Sequence, residues 1–453
     1  MGNLFTTLVN TAGSMRVFER ALSVVGNNVA NVSTPGYAKQ DLTLSAKPFQ
    51  PNIGLGGGVE AGDLISFRNS YAEQAVRRRQ QSWGRYAQTT EDLTRVEAAL
   101  PVAEGAGVPA ALSAFFQSVS ALAVAPNDIS ARQVVLDRAA DAARNFNQTA
   151  ALLSQVSTDA GRRLDGLIDQ INHLADTIRT VNWERRQNFE TTKDAGLDAQ
   201  LQTALEDLSE LVDITALDQP DGTVTVLVAG QIPLVMGDTV HPLSVDASGS
   251  APRVINDLGH DVGSVVTEGR LSALLDATTR ILPSYQSDLD HLAATFAATV
   301  NGVLQGGLDA AGNPPTKDLF AFDPAAAAAT LRVTDLAPSE IAAAAAGAPG
   351  GNGNALALAA LATAKTVDSG YTFAEYYGKI SGRAGRELSD ARANESVSQL
   401  LLAQARTLRG EISGVNLDEE AARLVELQRS YQAAAKMFQA IDEMTRTILD
   451  LIR

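Results

Sequence analysis

Residues 4–29 read LFTTLVNTAGSMRVFERALSVVGNNV, and one helical face of this stretch carries Leu4, Leu8, Thr11, Met15, Phe18, Leu22, Val25 and Val29. Steps of four and three alternate along it, the spacing that turns one narrow face of a helix toward a partner. The other end of the chain carries a matching stripe: Leu424, Leu427, Tyr431, Ala434, Phe438, Ile441, Thr445, Ile448 and Ile452. Two readings fit such stripes, a coiled-coil seam or an ordinary amphipathic helix lying on its own domain. Position favours the seam, because a terminal helix with a narrow apolar face has little body to pack on and is marginal alone in water. The expected assembly seam is therefore Leu4, Leu8, Met15, Phe18, Leu22, Val25 and Val29 at one end. At the other it is Leu424, Leu427, Tyr431, Phe438, Ile441, Ile448 and Ile452.

The edges of both stripes are punctuated. Ser413-Gly414-Val415 breaks the chain before the C-terminal stripe, Asn416 is placed to cap a helix, Glu419 falls at its third position, and Asp418 and Glu420 suit the positive end of the dipole. The N-terminal stripe runs out through Asn27, Asn28 and Asn31 into Ser33-Thr34-Pro35-Gly36-Tyr37. There Pro35 disfavours a helical Thr34 and Gly36 supplies a turn.

These punctuating residues carry a family resemblance. Asn28-Val-Ala-Asn-Val-Ser-Thr-Pro-Gly-Tyr37 resembles the signature shared by bacterial flagellar rod, hook and hook-associated proteins, which places Asn28, Asn31, Thr34, Pro35, Gly36 and Tyr37 in that signature. Ser413-Gly-Val-Asn-Leu-Asp-Glu-Glu420, with Gly414, Asn416 and Leu417 as its signature positions, is similar to the C-terminus of the hook-associated protein 1 family, as is Leu427-Gln-Arg-Ser-Tyr-Gln-Ala-Ala-Ala-Lys436. Gly353–Leu361 and Thr372–Tyr377 resemble the stretch before the last long helices of the same family.

The resemblance implies a structural subunit that self-assembles into a ring or tube through paired terminal helices and joins flagellar hook to filament. It implies as partners the hook protein, a second junction protein (hook-associated protein 3) and an export chaperone. It also implies an extracellular location in the flagellum, reached without a cleavable signal peptide; the N-terminus, whose first Arg is residue 16, has no basic region and no solid apolar core of such a peptide. A hook or distal-rod subunit is the alternative within the group, and a cytoplasmic coiled-coil adaptor the alternative outside it. The long helical interior disfavours a hook subunit, since hook subunits as a class devote their middle to β domains.

Composition agrees with a large folded assembly component. A chain of 453 residues suggests roughly three domain-sized bodies. Apolar residues at 45% and charged residues at 19% exclude global disorder. Aromatics are 5%, which favours helices packed by Ala and Leu. A formal charge of -16 disfavours nucleic acid and anionic lipid surfaces. Without cysteine there is no disulfide framework, thiolate metal site or thiol nucleophile. No uninterrupted apolar run approaches a membrane span, so no membrane insertion is expected.

The expected fold is mainly α with a small β element: a long helical bundle whose N- and C-terminal helices pair as a coiled coil. Residues 1–45 and 413–453 form the terminal domain, and 46–211, 263–320 and 354–412 the bundle. Within the bundle, Leu164, Leu167, Ile171, Leu174 and Ile178 keep helical spacing. Residues 212–262 form the β element, where Asp221-Gly222 precedes the β-branched run Thr223–Val228. Residues 321–353 are an Ala/Gly-rich connection, partly mobile or a short helix, in which the outer domain carried by many family members is absent or reduced.

Chemistry is not indicated. His173, His241, His260 and His291 are dispersed, Gly54–Gly58 lacks the Lys and Ser/Thr of a phosphate loop, and Asp309–Asn313 has too few carboxylates for a calcium loop. Arg77-Arg78-Arg79 reads as a solvated helix face. No enzyme activity, cofactor or metal is expected.

Overall fold

The computed structural model describes residues 2–48, 57–102, 105–187, 194–246, 248–249 and 252–451. Helix α1 (Gly2–Ala30) is followed by strands β1 (Gln40–Ala46) and β2 (Val59–Ser66), then by helices α2 (Ser70–Ala99), α3 (Gly107–Val124), α4 (Ile129–Gln187) and α5 (Ala195–Leu211). Next come β3 (Ile214–Asp218), β4 (Val224–Val228), β5 (Ile232–Met236), β6 (Thr239–Val240), β7 (Leu243–Asp246) and β8 (Arg253–Asn256). Helices α6 (Gly269–Asp276) and α7 (Leu282–Gln305) are joined by a π turn at Ala277–Ile281. Short segments lead through α8 (Ala327–Thr330) and α9 (Gly353–Ala360) to two long helices, α10 (Phe373–Ser413) and α11 (Leu417–Leu451).

The scaffold is α4, whose 59 residues span roughly 90 Å at 1.5 Å per residue. Its buried face includes Leu164, Leu167, Ile171 and Ile178 at the anticipated spacing, while Leu174 is half-buried at its margin. Helices α2 and α10 lie antiparallel, since Glu73 of α2 meets Arg409 of α10 and, seven residues on, Gln80 meets Arg406. The scarce aromatics are concentrated: Phe115, Phe116, Phe146, Phe296, Phe320 and Phe373 pack with ring centroids 5.1–6.2 Å apart. Edge-to-face pairs such as Phe115–Phe296 dominate this centre, so it is packed more specifically than small aliphatic side chains alone would allow. Helix α3 has the length and apolarity of a membrane span, but half of it is buried, with Phe115 and Phe116 in the aromatic centre.

The β element is clamped to α4 by asparagines. Asn182, fully buried, donates to the carbonyls of Val224 and Gly237 at 2.8 Å and accepts from the Val224 amide at 2.8 Å. Asn172 grips Leu243 of β7 in the same two-way manner. Strands β3–β6 form one antiparallel sheet and β7–β8 a hairpin.

Two features depart from the sequence reading. First, β1 and β2 form an antiparallel hairpin, with Gln40 opposite Ser66 and Ala46 opposite Val59, so a boundary at residue 45 cuts through one structural unit. Second, the connection at 321–353 is packed. Ala327, Ala328 and Ile341–Ala344 are buried, and β9 (Gly307–Leu308) pairs with β12 (Ala344–Ala345), as β10 (Phe320–Ala321) does with β11 (Arg332–Val333). A buried arginine holds the segment: Arg132 donates to the carbonyls of Pro126, Pro338, Ser339 and Ile341, the last at 2.6 Å. These acceptors satisfy the desolvated guanidinium without a carboxylate.

Candidate functional site

Helices α1 and α11 pair antiparallel, for Glu19 meets Tyr431 at 3.0 Å and, further back along α11, Glu420 meets Asn28. A small core of Ala21, Val25, Leu42 and Leu427 lies between them and the β1–β2 hairpin, with Phe18, Leu22 and Leu424 against it. It is separate from the core of the bundle, so the terminal pair has its own packing.

On α11 the buried or half-buried positions include Glu420, Leu424, Leu427, Tyr431, Ala434, Phe438, Ile441 and Thr445, the anticipated stripe extended back by one charged residue. Ile448 is exposed, a correction to the expected seam, and Ile452 lies outside the described residues. On α1 the fully buried residues are Thr11, Ser14, Ala21, Val25 and Asn28, while Leu4, Leu8, Met15 and Leu22 are half-buried. Val29 is exposed, a second correction: the buried line steps three residues from Val25, to Asn28, and not four. Thr11 stands in the stripe read from the sequence, but a search for apolar periodicity passes over Ser14 and Asn28, which are polar. Their hydrogen bonds are met locally: Thr11 and Ser14 donate to the carbonyls of Thr7 and Asn10, and Ser14 accepts from the Val59 amide of β2 at 3.2 Å.

Asn28, 1% exposed, uses its whole amide group. Its Nδ2 donates to the Gln40 carbonyl at 2.8 Å and to Oε2 of Glu420 at 3.0 Å, and its Oδ1 accepts from Tyr37 Oη at 2.9 Å and the Gln40 amide at 3.0 Å. One side chain thus ties the end of α1, the signature loop, the first residue of β1 and the start of α11. The buried carboxylate of Glu420 is balanced by Lys39 Nζ at 3.2 Å, which also reaches Glu419 at 2.8 Å. Burial works against the Lys39 charge, but its bonds to Glu419 and Glu420 raise its pKa overall; burial, with the Glu420 charge, raises that of Tyr37.

The other signature residues shape the joint between this pair and the bundle. Asn31 bonds Thr34 through both side chains at 3.0 Å, turning the loop. Gly36 has a φ of +71°, and any Cβ there would collide with the backbone of Ala199 in α5. Its carbonyl accepts from Arg68 at 2.6 Å. With Asn27, Asn31, Thr34, Pro35 and Tyr37 on one side and α4 and α5 on the other, the loop borders a cleft of about 700 Å³. At the opposite turn, buried Ser413 accepts from the Lys39 and Asn69 amides and donates to the Phe67 carbonyl. A Cβ on Gly414 would strike the Gly410 carbonyl, and Asn416 caps α11 by accepting from the Asp418 amide at 3.0 Å. Leu417 is exposed.

A chain of ion pairs, unread in the sequence, supports the joint. Arg185 meets Asp198, Asp198 meets Arg68, Arg68 meets Glu73, Glu73 meets Arg409, and Glu206 receives both Arg409 and Arg406. Burial opposes the charge on Glu206, yet these two arginines hold its carboxyl below the usual range. Of the basic run, Arg78 and Arg79 are exposed, but Arg77 is half-buried and bonded to Gln202 at 3.0 Å. Among the described residues no group of three or more His, Cys, Asp or Glu could hold a metal ion.

Comparison with known proteins accounts for both ends and the middle. Residues 11–37 match the family model described as flagella basal body rod protein, and 408–451 match that for the flagellar basal body rod FlgEFG protein C-terminal region. Terminal helices of this kind around a helical body define a structural protein of the bacterial flagellar axis. Residues 93–320, half of the chain, match the model of the flagellar hook-associated protein FlgK helical domain. The chain belongs to the flagellar hook-associated protein FlgK family.

Flagellar hook-associated protein 1 of Bacillus subtilis (strain 168) is 26% identical over 501 residues, covering 99% of both chains. That of Salmonella typhimurium is 23% identical over 333 residues, covering 70% of this chain and 60% of its own length. The solved flagellar hook junction protein FlgK from Burkholderia pseudomallei shares the fold, with a TM-score of 0.67 at 16% identity over 75% of this chain and all of that one.

Two outcomes follow from the Asn28 cluster. Asn28→Leu removes the whole set of bonds and leaves Glu420 short of a partner, at a cost of about 2–4 kcal/mol. Hydrogen exchange should accelerate across residues 11–30 and 417–441 while the bundle amides keep their protection; unchanged exchange at the termini would remove Asn28 from this role. Because the folded pKa values of Tyr37 and Lys39 are raised, their contribution is fully present below the unfolded values near 10 and is lost as pH rises through the folded ones. Circular dichroism should therefore show terminal helix content falling above about pH 10, and an equal loss in a Tyr37→Phe, Lys39→Gln double variant would contradict this.

Proposed function

We propose that this chain is the subunit that joins the flagellar hook to the filament, assembling by contacts of its paired terminal helices with those of neighbouring copies. The observation that carries the reading is the antiparallel pairing of α1 with α11 around a small core of its own. The pair leaves Phe5, Val9, Met437 and Met444 exposed, and α10 leaves Val397, Leu400, Leu408 and Ile412 exposed. Apolar surface of this extent on long helices marks contact with other chains. Further copies of the chain would cover it, with the hook protein below and a second junction protein above, and an export chaperone would shield the termini before assembly. No catalytic step enters this role.

The same reading divides the chain into a terminal pair, a helical bundle and a β element held on α4. A hook or distal-rod subunit is the nearest alternative, since the matched termini are of rod type. The match over 93–320 to the hook-associated helical domain favours the junction.

Electron microscopy of cells lacking the gene tests this directly. Bare hooks of normal length with flagellin released to the medium are expected; absent hooks would move the protein to the rod or hook, and intact flagella would overturn the role. A complementing Ile441→Asp chain, with a charge placed in the buried line of α11, should fail to restore filaments.

A further inference from the structure

The cleft of about 700 Å³ beside the signature loop carries charge of one sign. Among the described residues that line it there is no Lys, Arg or His, and there are two carboxylates, Asp194 and Asp207. Asp194 caps α5 with one oxygen, accepting from the Gly196 and Leu197 amides at 2.7 and 3.0 Å. Asp207 is exposed and has no ion-pair partner among the described residues. Burial, with the charges of Glu206 and Glu210, raises its pKa, and the charge of Arg406 offsets only part of this. Half-buried Tyr37, Leu64 and Leu174 add apolar surface to the same walls. The cleft therefore suits a group that is cationic at its tip and apolar along its stem, as an arginine side chain is.

Helix α1 carries such groups on its outer face. At about 100° per residue, Phe5, Val9, Arg16 and Arg20 fall within about 60° of one another, opposite the inward line through Ser14, Phe18 and Val25. All four are exposed, Phe5 at 63% and Val9 at 55%. Neither arginine meets a carboxylate among the described residues, in a protein whose formal net charge is -16. The same copy does not bring face and cleft together. Asn27 lines the cleft, but neither arginine does, and at 1.5 Å per residue Arg20 and Arg16 lie roughly 10 and 16 Å short of Asn27 along the helix.

We propose that this cleft receives a second copy of the chain, which inserts Arg16 and Arg20 of its α1 beside Asp207 and Asp194 and covers Phe5 and Val9 in the same contact, a docking that rests on the self-assembling role proposed above. The two sides match in kind, a basic and apolar face against an acidic and apolar cleft. Repeated from copy to copy, a contact between two different patches of one chain builds a ring or a helical tube. Because the cleft lies where the terminal pair meets the bundle, its occupant also fixes the angle between them.

The test uses flagella from cells whose sole copy of the gene is altered. Arg16→Lys with Arg20→Lys keeps both charges and supplies amines. A carbodiimide joins an amine to a carboxylate as an amide while itself taking up the water as a urea, and these flagella should then yield a dimer on denaturing gels whose joined peptides hold position 16 or 20 and Asp207 or Asp194. Arg16→Asp with Arg20→Asp should abolish filaments while secretion and circular dichroism stay native, and adding Asp207→Arg should restore filaments at least in part. Flagella that contain the chain but give no such dimer, filaments left intact by the two Asp changes, or no recovery on adding Asp207→Arg would overturn the proposal and leave the junction role standing. Flagella that lack the chain altogether would overturn the junction role, and the proposal with it.

Discussion

The bond between Asn28 and Glu420 joins residues 392 positions apart and brings the two ends of the chain into one structure. Both groups are buried, which makes the contact demanding: Glu420 must be met by Lys39, and Asn28 must find partners for every polar atom. In a low-dielectric setting such a cluster is strong when complete and costly when broken, so it specifies one register for α1 against α11. Apolar packing alone would not, because the core shared by the helices is small and would tolerate a slip of one heptad. The signature loop at 28–37 and the turn at 413–416 are thereby two halves of one device.

That device is set on the bundle through charge and backbone. Ser413 ties the α10–α11 turn to the hairpin and the start of α2, Gly36 lets the loop approach α5, and arginines from three parts of the chain share buried and half-buried carboxylates beneath. Burying ions rarely adds much net stability, but removing one partner from such a chain strands another. The arrangement therefore fixes the orientation of the joint more than it strengthens the fold, whose stability rests on the separate aromatic and aliphatic core of the bundle.

What could be read in the sequence follows from this division. The stripe of α11 was legible because its buried line is mostly apolar, from Leu424 to Ile441. The line of α1 was displaced at Ser14 and Asn28 because both are polar, and a residue such as Asn28, satisfied by a partner nearly 400 positions away, leaves no periodic trace. The family signature found the residues of the joint but not their roles. The hairpin at 40–66 escaped notice because its strands show little alternation of burial. Arg132, Asn172 and Asn182 are single polar residues on a long amphipathic helix, and only the fold gives each the carbonyls it binds. The mainly α body with a small β element was legible because the helices are long and strongly patterned.

The two terminal helices form one antiparallel unit within a single folded chain. The absence of cysteine permits a direct measurement: nitroxide labels on Ser23→Cys and Gln428→Cys, both exposed and flanking the Val25–Leu427 core, read by double electron–electron resonance in the monomer. A single narrow distribution at short distance is expected, broadened when Asn28 is replaced by Leu. A broad distribution in the unaltered chain would show that the ends come together only on assembly, and would contradict it.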